Sequence, residues 1–238
     1  MKPSNQQQGP RWHVHANAAT MAIALSQHLQ QLSHAAIADY GSVRIGLAGG
    51  STPMAAYADF AAAMLPWSQV RLALIDERCV PLSDAQSNER AIAAAFAGVR
   101  AQLGAWQGLY TETADPAAAA DAAIRDFGLP LDITVIGMGA DGHIASLFVE
   151  SADYDAAMDA AAKRAVVPIR FSAEEGKTDR LSFTLPALLQ TRRVLFCISG
   201  ADKRDVLERS LDGRAPQYAV ARFLAGYDSP VDIFWSPA

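Results

Sequence analysis

The chain has 238 residues, of which 51% are hydrophobic, and it carries a formal net charge of −5. No stretch approaches the roughly 20 apolar residues of a membrane span, and the acidic balance offers no general basic surface for nucleic acid. The two cysteines, Cys79 and Cys197, favour free thiols in a reducing compartment. The polar start of the chain lacks the apolar core of a signal peptide. Together these features predict a cytoplasmic protein that binds neither membrane nor nucleic acid.

Helices and short buried strands alternate along the chain. The helical patterns cover Asn17 to Asp39, Met54 to Met64, Asn88 to Phe96, Asp115 to Phe127, the stretch from Gly200 to Leu211, and Tyr218 to Leu224. The strand-like runs cover Val43 to Ala48, Val70 to Ile75, Leu131 to Ile136, Ala165 to Ile169, Arg180 to Leu185, Val194 to Ser199 and Val231 to Trp235. A helix is expected to begin within Ile144 to Phe148, and Ser151 to Ala162 suits a helix or an exposed excursion. The alternation predicts a flexible tail over residues 1–15 and a single Rossmann-like α/β domain over residues 16–238, with a mostly parallel sheet and helices on both faces.

Four polar turns follow four of the buried strands. Their sequences are GGSTP from Gly49, DER from Asp76, GMGADGH from Gly137 and GADK from Gly200. The carboxyl ends of parallel strands share one edge of a sheet, so the four turns are expected to meet there.

The turn after Leu131 to Ile136 carries the strongest catalytic candidate. His143 follows a glycine-rich bend that includes Gly139, and Asp141 lies two residues before it. Neutral imidazole can accept a proton from water near neutral pH, so His143 is the predicted general base unless it is a structural histidine. Asp141 is either its functional partner or a helix cap.

Candidate anion-binding groups lie in the other three turns. Gly49, Gly50, Ser51 and Thr52 offer backbone N–H groups, hydroxyls and a helix N-terminus, although Ser51 or Thr52 could simply cap the next helix. Lys203 lies in the first turn of a helix, where the helix dipole disfavours a cation unless an anion binds there; otherwise it is a solvated lysine. Arg204 beside it is expected at the surface.

The DER turn adds one cation and two carboxylates. Arg78 has forked donors that suit phosphate or carboxylate, and it is expected to share the charge of an oxyanion unless backbone N–H groups of the glycine turn do so. Asp76 could orient Arg78, accept sugar hydroxyls or cap the loop. Glu77 is expected to be solvated.

Several other chemistries are disfavoured. Gly137, Gly139 and Gly142 match G-x-G-x-x-G, but the next strand, AVVPI, ends without the acidic residue that a dinucleotide site needs. There is no nucleophile elbow, no Walker A lysine and no His/Cys cluster for a metal. The remaining residues suit general-base hydrolysis or proton transfer on a phosphorylated sugar, without metal or cofactor.

At these residues the chain resembles the 6-phosphogluconolactonases. The corresponding segments are LAGGSTP, DERCVP with SNER, IGMGADGHIASLF, and RLSFTLPALLQTRRVLFCISGADKR from Arg180 onward. The resemblance implies a Rossmann-like fold and hydrolysis of 6-phospho-D-glucono-1,5-lactone to 6-phosphogluconate, the second step of the oxidative pentose phosphate pathway. It assigns His143 as general base, places Arg78, Arg180 and Lys203 around the substrate, and places Gly50, Ser51 and Thr52 at the phosphate. The protein is expected to be a monomer or weak homo-oligomer.

Two alternatives and two departures accompany the resemblance. Amino-sugar-phosphate deaminases or isomerases share GSTP and DGH, but they typically have Tyr at the position of Arg78 and Phe-Asn-Glu-Pro where this chain has Ser146-Leu147-Phe148. Sugar-phosphate-sensing regulators share the fold but carry a DNA-binding segment, for which the stretch before Asn17 is too short. The chain has Val149-Glu150 where the family usually has Pro-Gly, so this loop is expected to take another shape. The end of the chain, IFWSPA, matches the family only loosely.

Overall fold

The computed structural model describes residues 9–172 and 176–237. Its strands are β1 (Arg11–Val14), β2 (Val43–Leu47), β3 (Val70–Leu74), β4 (Asp76–Arg78), β5 (Ala105–Gln107), β6 (Leu131–Ile136), β7 (Val166–Ile169), β8 (Arg180–Phe183), β9 (Thr191–Ser199) and β10 (Asp232–Ser236). Its α-helices are α1 (Ala18–Tyr40), α2 (Met54–Ala61), α3 (Asn88–Ala95), α4 (Pro116–Phe127), α5 (Tyr154–Ala157), α6 (Leu185–Leu189), α7 (Ala201–Leu211) and α8 (Ala219–Gly226). Short 3₁₀ turns occur at Trp67–Gln69 and Arg100–Gln102.

Seven strands form one parallel sheet in the order β1-β10-β9-β6-β2-β3-β5. All six residues of the central strand β6 are buried, as expected when helices cover both faces of a sheet. Helix α1 buries Met21, Leu25 and Leu29 at helical spacing, and Asn17 caps it by accepting a hydrogen bond from the Thr20 backbone N–H at 3.0 Å. The predicted α/β class with a parallel sheet is therefore confirmed.

The strand order changes direction between β2 and β6. Strands β3 and β5 lie on the outer side of β2, whereas β9, β10 and β1 lie on the outer side of β6. The turns that leave β2 and β6 therefore separate at the carboxyl edge, and such a switch point is where open α/β sheets leave a crevice for a ligand.

A second, antiparallel sheet lies beside this edge, in the order β4-β8-β7. Strand β4 is the DER segment, and Arg78 at its end faces Arg180 at the start of β8. Although β7 and β8 were expected to be strands, the local pattern did not reveal that they leave the main sheet.

Two predicted segments differ from the structure, and a third is only partly helical. Arg11–Val14 pairs with β10 as an edge strand, so the tail expected over residues 1–15 is wrong for this part; residues 1–8 lie outside the described residues. No helix begins within 144–148: Met138 bridges to Ile144, and Ala145 takes a φ of 48°. Only the four residues of α5 are helical in the stretch from Ser151 to Ala162. No helix in the described part of the chain is long and apolar enough to cross a membrane.

Candidate active site

The four polar segments surround one cavity of about 230 Å³ at the switch point, although DER, expected as a turn, forms strand β4. Ten of the predicted site residues line it: Gly49, Gly50, Ser51, Thr52, Asp76, Arg78, Gly139, His143, Arg180 and Lys203. Asp141 reaches the cavity only through its contact with His143. A larger cavity of about 740 Å³ lies at the opposite, amino edge of the sheet, near Pro10, Arg193 and Val231, and none of the predicted site residues lines it.

His143 and Asp141 form a hydrogen-bonded pair. Nδ1 of His143 lies 2.5 Å from Oδ1 of Asp141, and the backbone N–H of His143 donates to the same oxygen at 3.4 Å. Burial disfavours the charged form of Asp141, but the hydrogen bonds and charge of His143 outweigh it, so the pKa of Asp141 lies below its ordinary value. Asp141 is thus the partner of the imidazole.

Phe148 holds the other side of the imidazole. Its ring centroid lies 4.0 Å from that of His143 at an interplanar angle of 32°, and its side chain is buried. Arg180 lies over the same phenyl ring at 5.4 Å from its centroid. Val149 and Glu150 follow at the surface, where Glu150 forms an ion pair with Lys177.

Arg78, Arg180 and Lys203 bring three cations to the cavity wall. Arg78 donates from Nη1 to the carbonyl of Gln86 at 2.7 Å, and Arg180 donates from Nε to the carbonyl of Thr178 at 3.3 Å. Burial and the neighbouring charge of Arg78 lower the pKa of Arg180. Among the described residues, no carboxylate lies within ion-pair distance of any of the three cations. The cavity is therefore locally basic in an acidic protein.

The antiparallel pairing of β4 and β8 explains how Arg180 reaches the site. Only the family resemblance predicted Arg180 at the site. Arg180 begins its strand, whereas the parallel-sheet pattern places the ends of strands at this edge. The start of an antiparallel strand lies beside the end of its neighbour, so Arg180 lies opposite Arg78.

The two carboxylates of the DER segment are both buried. Oδ2 of Asp76 accepts a hydrogen bond from the hydroxyl of Ser146 at 2.7 Å, and this bond ties the DER strand to the loop after His143. The prediction that Glu77 is solvated is wrong, because it is 1% exposed. It accepts hydrogen bonds from the backbone N–H groups of Arg78, Asn88 and Glu89 at 2.6–2.7 Å. These donors oppose the burial that raises the pKa of Glu77.

Asn88 is a cavity residue that sequence reasoning did not single out. Its Nδ2 donates to the carbonyl of Asp76 at 3.1 Å, and its amide packs directly against Gly49, where a Cβ would lie 2.0 Å from Oδ1. Its presence in the SNER segment was the available signal. Met138, Ala145 and Cys197 also line the cavity.

The GGSTP turn leads into α2 without a side-chain cap. Pro53 occupies the N-cap position and forms no capping hydrogen bond, so neither Ser51 nor Thr52 has the capping role that the sequence left open. The hydroxyls and the N-terminal N–H groups of α2 can instead serve a bound anion.

Neither cysteine is a suitable nucleophile. Burial raises the pKa of Cys197 to about 12, although Lys203 lies near enough to oppose it, and burial raises the pKa of Cys79 to about 11. Both remain thiols near neutral pH. Within residues 9–172 and 176–237, no group of three or more His, Cys, Asp or Glu side chains is arranged to hold a metal ion.

Comparisons with known proteins identify the family of this chain. The model for glucosamine-6-phosphate isomerases/6-phosphogluconolactonase matches residues 16–231. The 6-phosphogluconolactonase of Mesorhizobium japonicum is 32% identical, with 95% of each chain covered. That of Rhizobium meliloti is 34% identical, with 94% of this chain and 98% of the relative covered. The crystal structure of a 6-phosphogluconolactonase from Shewanella baltica matches with a TM-score of 0.88 and 25% identity, covering 96% of this chain and 98% of that chain. This chain belongs to the glucosamine-6-phosphate isomerase/6-phosphogluconolactonase family.

Proposed function

We propose that this protein hydrolyses 6-phospho-D-glucono-1,5-lactone to 6-phospho-D-gluconate, with His143 as the general base. The observation that carries the proposal is the His143–Asp141 pair, joined at 2.5 Å, in one cavity with three cations. The curated relatives that match over nearly the whole chain are lactonases, which supports hydrolysis over the isomerase chemistry included in the family description.

The hydrogen bond between Asp141 and His143 determines which imidazole nitrogen can act as the base. An ionised carboxylate can only accept a hydrogen bond, so Nδ1 carries the proton of the neutral imidazole and Nε2 carries the lone pair. The lowered pKa of Asp141 keeps the carboxylate ionised. Nε2 is therefore the atom that takes a proton from the attacking water, and Asp141 stabilises the imidazolium that forms.

Water attack creates an oxyanion on the lactone carbonyl. Arg78, already fixed by Gln86, supplies the positive charge that stabilises it, and Arg180 adds a second guanidinium beside it. The tetrahedral centre then collapses, the bond to the ring oxygen breaks, and that oxygen takes the proton held on Nε2. No acyl-enzyme forms in this reaction, consistent with the Cys197 thiol, which remains protonated near neutral pH.

The phosphate of the substrate occupies the Lys203 side of the cavity. Gly50, Ser51 and Thr52 offer N–H and hydroxyl donors there, and the uncapped N-terminus of α2 adds its dipole. Binding energy from this remote group orients the reacting ester, so the unphosphorylated lactone should be a poor substrate. We assign the activity to the cytoplasm and to a monomer or weak homo-oligomer that needs no nucleic acid, membrane or cofactor.

The test is the substitution His143→Gln, measured with freshly generated 6-phosphogluconolactone against its spontaneous hydrolysis. Glutamine retains hydrogen bonding but cannot act as the base, so kcat should fall by about 10²- to 10⁴-fold. Affinity for 6-phosphogluconate should change little, because the phosphate contacts lie elsewhere. The control is His34→Gln, an exposed histidine on α1, which should retain full activity. A His143→Gln variant with parental turnover and an unchanged pH profile would show that His143 is structural.

A further inference from the structure

The first turn of α7, which carries Lys203, is held by a tryptophan from the last strand. Nε1 of Trp235 on β10 donates to the carbonyl of Gly200 at 2.8 Å. The helical hydrogen bond to the same carbonyl, from the backbone N–H of Arg204, is longer at 3.4 Å. The indole is thus the closer donor to the peptide from which the helix starts.

Gly200 needs this support because no side chain caps α7 at that position. Gly200 has a φ of 93°, and its own N–H donates to the carbonyl of Ser236 at 3.0 Å. Strand β10 therefore holds the turn by both sides of the Gly200 residue, through one backbone acceptor and one side-chain donor. These two bonds connect the start of α7 to β10.

The neighbouring cations of this turn have different partners. Arg204 lies over the rings of Trp235 and Trp12, at 4.7 and 5.2 Å from their centroids, and its Nε donates to Glu208 at 2.7 Å. Lys203 lines the cavity instead, without a carboxylate partner among the described residues. The aromatic contact thus retains Arg204 on the β10 side of the helix, and Lys203 is left for the substrate.

We infer that Trp235 is a positioning residue for the phosphate site: its indole N–H fixes the first turn of α7 so that Lys203 points at the substrate phosphate. This inference rests on the proposed function, since it requires Lys203 to bind phosphate. Trp235 itself does not line the cavity. Its effect must therefore pass through Lys203, and that requirement can be measured.

The substitution Trp235→Phe removes the N–H and retains an aromatic ring for Arg204. One lost hydrogen bond corresponds to about a 3- to 10-fold rise in KM for 6-phosphogluconolactone and in Kd for 6-phosphogluconate, with kcat nearly unchanged. Trp106→Phe is the matched control. It removes an indole hydrogen bond of the same length, 2.8 Å to Glu89, at the opposite edge of the sheet, and should leave both constants unchanged.

A double-mutant cycle with Lys203→Ala separates positioning from general loss of structure. In the Lys203→Ala background, Trp235→Phe should alter Kd by less than about 1.5-fold, because interacting residues are not additive. An equal effect in both backgrounds, or none in the parent, would overturn the role of Trp235 while leaving the phosphate site intact. If Lys203→Ala alone did not weaken 6-phosphogluconate binding, the phosphate site of the proposed function would itself be wrong. Trp235→Tyr, which retains more ring volume, is the second variant should Trp235→Phe not fold.

Discussion

Gly139 is the position where adding one methyl group should damage catalysis most selectively. A Cβ at Gly139 would lie 2.2 Å from Oδ1 of Asp141 and 2.3 Å from Nδ1 of His143. Carbon and oxygen in contact need about 3.2 Å or more, so Gly139→Ala must move the pair by roughly 1 Å. A displacement of this size in a catalytic group costs on the order of 10²-fold in rate.

The expected fall in kcat is therefore about 10²-fold, with little change in stability. The side chain of Asp141 is 52% exposed and that of His143 is 27% exposed, so both can move toward solvent without opening a cavity in the core. The backbone of Gly139 does not adopt a positive φ, so alanine adds no backbone strain there.

The control for Gly139→Ala is Gly98→Ala, outside the cavity. A Cβ at Gly98 would have no atom within 4 Å, and Gly98 does not have a positive φ. Both variants would be assayed for lactone hydrolysis, for 6-phosphogluconate binding and for thermal unfolding. Parental kcat in Gly139→Ala, or equal losses of activity in the two variants, would show that the position of the His143–Asp141 pair does not control the rate.

Two further predictions concern buried carboxylates. Asp232→Asn should cost about 2 kcal/mol at neutral pH, because Asp232 accepts charge-assisted hydrogen bonds from Arg11 and, when protonated, His13. Burial opposes ionisation of Asp232, but the nearby His28 and the hydrogen bonds from Arg11 and His13 outweigh burial and hold the pKa of Asp232 well below 3.8. Ionised Asp232 therefore stabilises the fold fully above pH 3.8, and this stabilisation is lost as the pH falls from 3.8 toward the lowered pKa. Denaturant titrations at pH 7 and near pH 2 should show the gap between variant and parent narrowing in acid; an equal gap would refute the assignment. Glu77→Gln should lower the free energy of unfolding by about 1–3 kcal/mol, since its amide nitrogen would face N–H donors, and unchanged urea unfolding would contradict this.

The burial of Glu77 could not be predicted from the local sequence pattern. From the DER segment alone, a carboxylate is predicted to be solvated, because burying a charge is costly. In the folded chain, the N-terminus of α3 returns to this turn and supplies N–H donors from residues eleven and twelve positions away. The compensation comes from a distant segment, so the turn sequence alone does not contain it.

Strand β1 illustrates the same limit for the sheet. Its four residues carry no long apolar run, and its partner β10 begins 221 residues after Arg11. The side chains of Arg11 and His13 meet Asp232 only once those strands are adjacent. Local periodicity indicates which residues of one segment are buried. It does not indicate which other segment forms the neighbouring strand.

The sequence alone predicted the parallel sheet and the common edge where GGSTP, DER, GMGADGH and GADK meet, although DER forms strand β4 and not a turn. Apolar strands that alternate with helices leave few arrangements, and parallel strands place all their carboxyl ends together. Tertiary structure alone decided that Arg180 faces Arg78, that Ser146 ties down Asp76, and that Trp235 holds the turn before Lys203. Each of these contacts joins residues that are distant in the chain, and its geometry depends on strand pairing that no local pattern specifies.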